Sequence, residues 1–268
     1  MSKIADQHYL LTDQYRDATN LDARVRLHVL FSTNKYGWNR WYFDRLDLPP
    51  RARILELGCG PGHLWRDNLD RISANWDVTL SDFSAGMVQQ AEEKLRKHKH
   101  PFRYQIIDAQ SVPFDDNTFD AVIANHMLYH VPDRSKVLSE MRRILKHNGQ
   151  AYVATNGDDH LRELYDLIQR FDPSVDFGWG QRAHEIFSLS SGGEELLRWF
   201  KRVEAHRYGD ALIVTEAEPL VDYILSMTTI ESATTRRAEL KRFIEHELSA
   251  RGSIHIAKDS GLFVCLAT

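Results

Sequence analysis

The sequence predicts an α/β protein with a parallel sheet covered by helices on both faces. Three observations carry this. From residue 53 to residue 156, apolar runs of strand length alternate with stretches of helical period. The runs are separated by whole helical segments rather than hairpin turns, which is the connection parallel strands need. A glycine turn, Gly58, Gly60 and Gly62, joins the first run to a helical pattern.

Residues 1–50 read as helices. Leu21, Val25 and Val29 fall at i, i+4, i+8, and Trp38, Trp41 and Tyr42 at i, i+3, i+4. Between them runs a polar joint, Phe31 to Gly37, and Pro49-Pro50 stops the pattern. The inner faces of two packed helices account for Trp38 and Trp41.

The strand over 53–57 is interrupted by one carboxylate, Glu56, and a helix follows with Leu64, Trp65, Leu69 and Ile72. Next come strand 77–82 and helix 84–98, with Met87, Val88, Ala91 and Leu95 on one face. Strand 102–108 is followed by a connection through Val112-Pro113-Phe114, then by strand 119–125. Helix 133–147 is apolar at Val137, Leu138, Met141, Ile144 and Leu145. Asp133 suits its N-cap, and Lys146 and His147 before Gly149 suit its end. Strand 150–156 closes the series. Ligands of such a sheet bind at the carboxyl ends of its strands.

Beyond 157, a helix spans 160–171 with Leu161, Leu164, Tyr165 and Ile168. A loop with Gly178-Trp179-Gly180 leads to a short helix at 194–201. Residues 203–214 read as strand material broken at Gly209-Asp210, and two helices occupy 216–226 and 232–250. The stretch 253–268 reads as two strands turned at Asp259-Ser260-Gly261. No repeat or flexible linker divides these parts. The expectation is one domain over 1–268, with a helical cap (1–50), a ligand-binding core (51–156), additions over the substrate side (157–252) and closing strands (253–268).

Composition narrows the function. With 268 residues, 43% of them hydrophobic, the chain can bury a full core. A net charge of −4 gives no electrostatic footprint for nucleic acid. The N-terminus lacks the apolar core of a signal peptide, and no run approaches membrane-spanning length. Two cysteines, Cys59 and Cys265, make no disulfide framework. These features point to a soluble cytoplasmic protein with no membrane partner. The 13 histidines show no metal-ligand spacing; His98 and His100 flank a lysine on a polar stretch.

The stretch RILELGCGPGHLW, residues 53–65, organises the chain. Dinucleotide turns read G-x-G-x-x-G, whereas here the third glycine comes one residue early. Glu56, aimed into the crevice, suits a ligand carrying an ammonium group and repels a pyrophosphate. The stretch closely resembles motif I, E-x-G-x-G-x-G, of the class I S-adenosylmethionine-dependent methyltransferases. Residues 112–133 and 145–156 resemble later motifs of their small-molecule, ubiquinone-methyltransferase-like branch. The resemblance covers residues 53–156. It implies a Rossmann-like, doubly wound, seven-stranded sheet, mostly parallel with a reversed last strand.

The resemblance also implies roles. Glu56, Gly58, Cys59, Gly60 and Gly62 would form the cofactor turn. Asp82, about 20 residues beyond Gly62, would accept the ribose hydroxyls, and it also suits an N-cap for the helix starting near Ser84. Phe83 and Met87 would flank adenine, with core packing an equal reading of Met87. Asp108 and Ala109 would meet the adenine edge, a plain turn aspartate being the alternative. Asn125 would sit beside the methionine part, and Tyr15 with the Phe31–Gly37 joint would cover the cofactor. Asn125-His126-Met127-Leu128 stands where the branch that methylates nucleic-acid amino groups carries Asn/Asp-Pro-Pro-Tyr, so the local case for a base as substrate is gone.

Methyl transfer from a sulfonium is an in-line displacement, and a hydroxyl acceptor usually needs a base. His126 and His130, just past the fourth strand, are the catalytic candidates; packing beneath the loop is the structural alternative for each. His28, His160 and His184 have no motif around them. The expected function is methyl transfer from S-adenosylmethionine to an O, N or C atom of a small metabolite. Two alternatives stay open: a protein that binds S-adenosylmethionine for other chemistry, and a nicotinamide-dependent oxidoreductase. RNA or protein substrates are disfavoured by charge and by the absent Pro-Pro motif.

Overall fold

Burial decides which runs become strands. In the computed structural model, which describes residues 5–174, 186–227 and 236–267, Ile54 to Leu57 of strand β1 (Arg53–Leu57) are all buried. Val78 to Ser81 of β2 (Asp77–Asp82) and Ala121 to Ala124 of β4 (Phe119–Asn125) are buried likewise, as central strands of a parallel sheet covered on both faces should be. Strand β3 (Arg103–Ile106) is the edge and is partly exposed. β5 spans Leu145–Asn156, β6 Arg202–Val214 and β7 Ile254–Leu266. The seven strands lie in the order β3-β2-β1-β4-β5-β7-β6. Neighbours among β1 to β5 pair in parallel, and β7 runs antiparallel to both β5 and β6. This is the Rossmann-like order with a reversed last strand that the sequence implied.

Helices Ala85–Leu95 and Arg134–Ile144 start where expected. Ser84 accepts the N–H of Met87, and Asp133 that of Lys136. Two apolar clusters flank the sheet. One gathers Leu27, Leu55, Val122, Leu138 and Phe263. The other gathers Tyr42, Ile54, Trp65, Leu80 and Tyr152.

Three readings are corrected. β6 continues through Gly209-Asp210, and β7 through Asp259-Ser260-Gly261, so neither carries a turn. The polar residues there are paired across the strands: Asp210 opposes Lys258 and bonds it, and the hydroxyl of Ser260 donates to Asn156 at 2.8 Å. Gly261 also lets β6 approach, since a Cβ would lie 2.5 Å from the carbonyl oxygen of His206. Helix 134–144 ends earlier than its composition suggests, because Lys146 is drawn into β5 and pairs with Asp120 at 2.8 Å.

The N-terminal segment holds a short helix (Gln7–Tyr9), a π-helical turn (Leu10–Gln14), and helices Thr19–Phe31 and Trp38–Phe43. Helix Thr19–Phe31 buries Arg24, Leu27 and Phe31, while Val29 is 71% exposed. The Leu21–Val25–Val29 stripe instead faces the central cavity. The helix Gly192–Leu196 starts two residues before the expected 194–201 and ends five residues short of it, while those at Ala217–Met227 and Arg237–Arg251 nearly match expectation. The Gly178-Trp179-Gly180 loop, His184 and the start of the 232–250 helix lie outside the described residues. Among the described residues, no helix is long and apolar enough to cross a membrane.

Candidate active site

The glycine turn is built from β1 outward. Glu56, 1% exposed, accepts the indole N–H of Trp65 at 2.6 Å. Burial pushes its carboxyl up to about 8, the Trp65 bond opposing the rise and Asp82 adding to it. The chain then turns with positive φ at Gly58, Gly60 and Gly62. At Gly58 a Cβ would lie 2.8 Å from Cβ of Met127, so the turn also passes close under the loop after β4.

Asp82 closes the turn from β2. Its Oδ2 accepts the N–H of Gly60 and its Oδ1 that of Ser84, both at 2.9 Å. Burial raises its pKa against those bonds. The capping alternative noted for Asp82 is therefore part of its work, although Ser84 is the N-cap proper.

Above the strand ends lies a cavity of about 790 Å³, open to solvent on one side. All the sequence-predicted candidates line it except Gly62. A Cβ on Gly62 would lie 3.0 Å from Leu95, so this glycine lets the short helix His63–Arg66 begin against helix Ala85–Leu95. Phe83 is 37% exposed and presents a ring to the cavity, while Met87 at 1% is mostly core. Asp108 accepts the N–H of Gln110 at 2.9 Å, the turn role, while still lining the cavity beside buried Ala109. Burial holds the Cys59 thiol well above its usual range, which leaves it unreactive. Asn125, at the end of β4, has a buried Oδ1 with no hydrogen-bond partner among the described residues.

The opposite wall comes from elements far apart in sequence. His130 ends a 3₁₀ turn, Leu128–His130, and its Nε2 lies 2.9 Å from the hydroxyl of Tyr15. Tyr15 follows the π-helical turn, and its carbonyl accepts the hydroxyl of Ser84 at 2.8 Å. Gly86 allows this approach, since a Cβ there would sit 2.1 Å from the carbonyl oxygen of Arg16. Burial pushes the Tyr15 phenol up, so it is protonated at neutral pH. His126 stands at φ +56° with its ring 5.1 Å from that of Trp38. Burial, then Lys258 and His130, push its imidazole down to about 4.

The Phe31–Gly37 joint is fastened from behind. Ser32 Oγ and the N–H of Asn34 donate to Asp210 at 2.8 and 2.9 Å. Sequence reasoning missed Arg24, Asp210 and Lys258, and gave no role to His28 or His160, which all line or brace this wall. Arg24 carried one signal: it stands three and seven residues before the buried Leu27 and Phe31, on the same helix face.

The acceptors at the turn suit a ligand that donates. Asp82 and the unpartnered oxygen of Asn125 gather there with the carboxyl of Glu56, which a ligand cation would draw into its ionised form, and a pyrophosphate would offer these groups no donor. Hydroxyl and ammonium groups would be matched by them.

Residues 55–153 match the family model described as a methyltransferase domain. The ubiquinone/menaquinone biosynthesis C-methyltransferase of Stenotrophomonas maltophilia is 33% identical over 136 residues, 49% of this chain and 54% of that protein. The protein of the same name from Idiomarina loihiensis is 32% identical over 118 residues, 43% of this chain and 47% of its own length. The chain spans about half the length of these curated relatives. Among solved structures, phosphoethanolamine N-methyltransferase 2 of Haemonchus contortus, in complex with S-adenosyl-L-methionine, superposes with a TM-score of 0.59 at 19% identity. That match covers 97% of this chain and 59% of the other. The [4+2]-cyclase SpnF matches with a TM-score of 0.54 at 17% identity, covering 85% of this chain and 78% of its own. At these identities the two structures speak for the fold.

Proposed function

We propose that this chain, whose residues 55–153 match the model of a methyltransferase domain, is a class I S-adenosylmethionine-dependent methyltransferase that transfers the cofactor's methyl group to an O, N or C atom of a small-molecule metabolite. One observation carries the reading. The glycine turn that Asp82 holds through the N–H of Gly60 at 2.9 Å opens into the same cavity as the Tyr15–His130 pair. Cofactor acceptors and a proton acceptor thus face one space. S-adenosylmethionine bound there would supply an electrophilic methyl carbon on a sulfonium.

The rest falls to the chain. Each oxygen of Asp82 has a further lone pair for a ribose hydroxyl. Glu56 and Asn125 take the ammonium end, Phe83 and Met87 flank adenine, and Asp108 with the N–H of Ala109 meets its edge. The N-terminal helices and the described residues of 157–252 serve as the cover on the substrate side. They hold the acceptor atom near the methyl carbon, at about 3 Å and in line.

For a hydroxyl acceptor, the protonated phenol of Tyr15 donates to Nε2 of His130 and takes the acceptor's proton as its own moves to the imidazole. His126, its imidazole pushed down to about 4, acts as a neutral hydrogen-bonding ring. The test is incubation with methyl-labelled S-adenosylmethionine and a metabolite extract. Label transferred to a small molecule supports the reading. Tight cofactor binding without any transfer favours other chemistry on this scaffold, and preferred binding of a nicotinamide dinucleotide overturns both.

A further inference from the structure

Two residues of the cavity lining carry buried polar atoms of opposite kind. Oδ1 of Asn125 is an acceptor, and the indole N–H of Trp38 is a donor with no acceptor capacity. Neither has a hydrogen-bond partner among the described residues. The two flank one residue: Asn125 precedes His126 in the chain, and the ring of Trp38 lies 5.1 Å from that of His126. Nδ1 of His28 is unpartnered too, but an imidazole can carry its proton on either nitrogen, so it specifies neither a donor nor an acceptor.

Trp38 is held beside the glycine turn. The helix it opens, Trp38–Phe43, is fastened to the segment that follows the turn. Asn39 donates to Asp67 at 2.7 Å, and the side-chain amide of Asn68 donates to the carbonyl of Asn39 at 3.0 Å. The indole stacks on Trp41 at 5.1 Å, meets Tyr42 and Tyr208 edge-on at 6.0 and 5.5 Å, and packs against the cluster that includes Cys59 and Leu64. Both phenols donate elsewhere, Tyr42 to the carbonyl of Tyr152 at 3.0 Å and Tyr208 to that of Asn34 at 3.5 Å. Packing accounts for the ring but not for its nitrogen, since a phenyl ring would pack without burying a donor.

One donor and one acceptor at the same end of a cavity match a group that carries both an anionic oxygen and a cationic nitrogen. An α-amino acid is such a group. An amine alone would satisfy Asn125 and leave Trp38 unmet, and a carboxylate alone would do the reverse. We infer that Trp38 is a cofactor-binding residue: its indole N–H donates to the α-carboxylate of S-adenosylmethionine, while Oδ1 of Asn125 accepts from the ammonium group on the same carbon. The inference rests on the proposed use of that cofactor. It adds a residue outside 55–153, the stretch that matches the family model, so the N-terminal segment completes the cofactor site as well as covering it. It also makes the carboxylate a requirement for tight binding, and the decarboxylated cofactor is thereby discriminated against.

The test reads binding rather than turnover. Calorimetry compares S-adenosylhomocysteine with its decarboxylated analogue, which keeps the amine, and with its deaminated analogue, which keeps the carboxylate. The parent protein should bind S-adenosylhomocysteine about tenfold to a hundredfold more tightly than the decarboxylated analogue. Trp38→Phe should lose most of that ratio while binding the decarboxylated analogue as the parent does, which also shows that the variant is folded. Asn125→Ala should leave the carboxylate ratio in place and reduce the preference over the deaminated analogue.

In ¹⁵N-labelled protein, the indole signal assigned to Trp38 through the Phe variant should move downfield in its proton dimension with S-adenosylhomocysteine and with the deaminated analogue, but not with the decarboxylated one. The inference is overturned if Trp38→Phe keeps the parent's ratio or weakens both ligands equally, or if the indole signal moves alike with and without the carboxylate. Should the variant bind none of the ligands, the indole signal of the parent decides. Failure of the parent to bind S-adenosylhomocysteine would instead overturn the cofactor reading.

Discussion

Glu56 and Trp65 form a hydrogen bond sealed from solvent, 2.6 Å from indole nitrogen to carboxyl oxygen, with the two residues 1% and 0% exposed. Burial holds Glu56 protonated up to about pH 8. The folded chain therefore keeps a proton that the unfolded chain releases near pH 4.3 (an approximate reference value), and stability falls as pH rises toward 8. Asp82, also raised by burial, acts in the same sense. His28 and His126 act oppositely, burial taking them down to about 3 and about 4. Below roughly pH 6.5 the unfolded chain binds protons on these imidazoles that the folded chain refuses, so stability falls on the acid side. Urea denaturation of the ligand-free protein should show a maximum near pH 6.5. From there to pH 8 it should lose about 2 kcal/mol through Glu56. Glu56→Gln should flatten the alkaline limb; an unchanged limb would remove Glu56 as its cause.

The same carboxyl gives a prediction for binding. A ligand ammonium placed against Glu56 draws out the ionised form, so S-adenosylmethionine binding at pH 7 should release close to one proton. Calorimetry in buffers of different ionisation enthalpy measures this directly. Affinity should lie in the micromolar range, about −8 kcal/mol, with NAD far weaker. Binding without proton release would show that the ammonium sits elsewhere.

Asp82 is predicted to do two things. Loss of its carboxylate in Asp82→Ala should weaken S-adenosylmethionine roughly tenfold to a hundredfold. The variant also leaves the N–H groups of Gly60 and Ser84 without their acceptor, so unfolding stability should drop by about 1–3 kcal/mol. A variant with normal affinity would move the ribose acid to another residue.

Local features were legible in the sequence and distant ones were not. Gly58, Gly60 and Gly62 announce a turn because their spacing acts over a few bonds, and Asp82 follows at a distance that one crossover sets. The Tyr15–His130 contact joins residues 115 positions apart, and only the folding of the N-terminal strap brings them together. Asp210 looked like a turn residue because its composition is that of a turn. Its charge is matched by Lys258 across the β6–β7 ladder, a pairing that periodicity cannot display. Arg24 was hidden for a related reason: the Leu21–Val25–Val29 stripe reads as a core face, whereas here it faces a cavity and the true core face includes a cation.

The Tyr15–His130 pair separates catalysis from covering. If the pair moves a proton, His130→Asn should lower the maximal rate by about 10²–10⁴-fold while leaving S-adenosylmethionine affinity intact. Tyr15→Phe, which keeps the ring over the cavity but removes the hydroxyl 2.9 Å from Nε2, should produce most of the same loss. The pH dependence of the rate should also change in His130→Asn, since the proton acceptor is gone. A pair that only fastens the N-terminal strap predicts the reverse pattern. Both variants would then keep most of the rate and lose cofactor affinity together, because the strap that Tyr15 anchors to Ser84 would open more often. Wild-type rates and pH profiles in both variants would leave positioning alone to account for the reaction, with an amine or carbanion as acceptor rather than a hydroxyl.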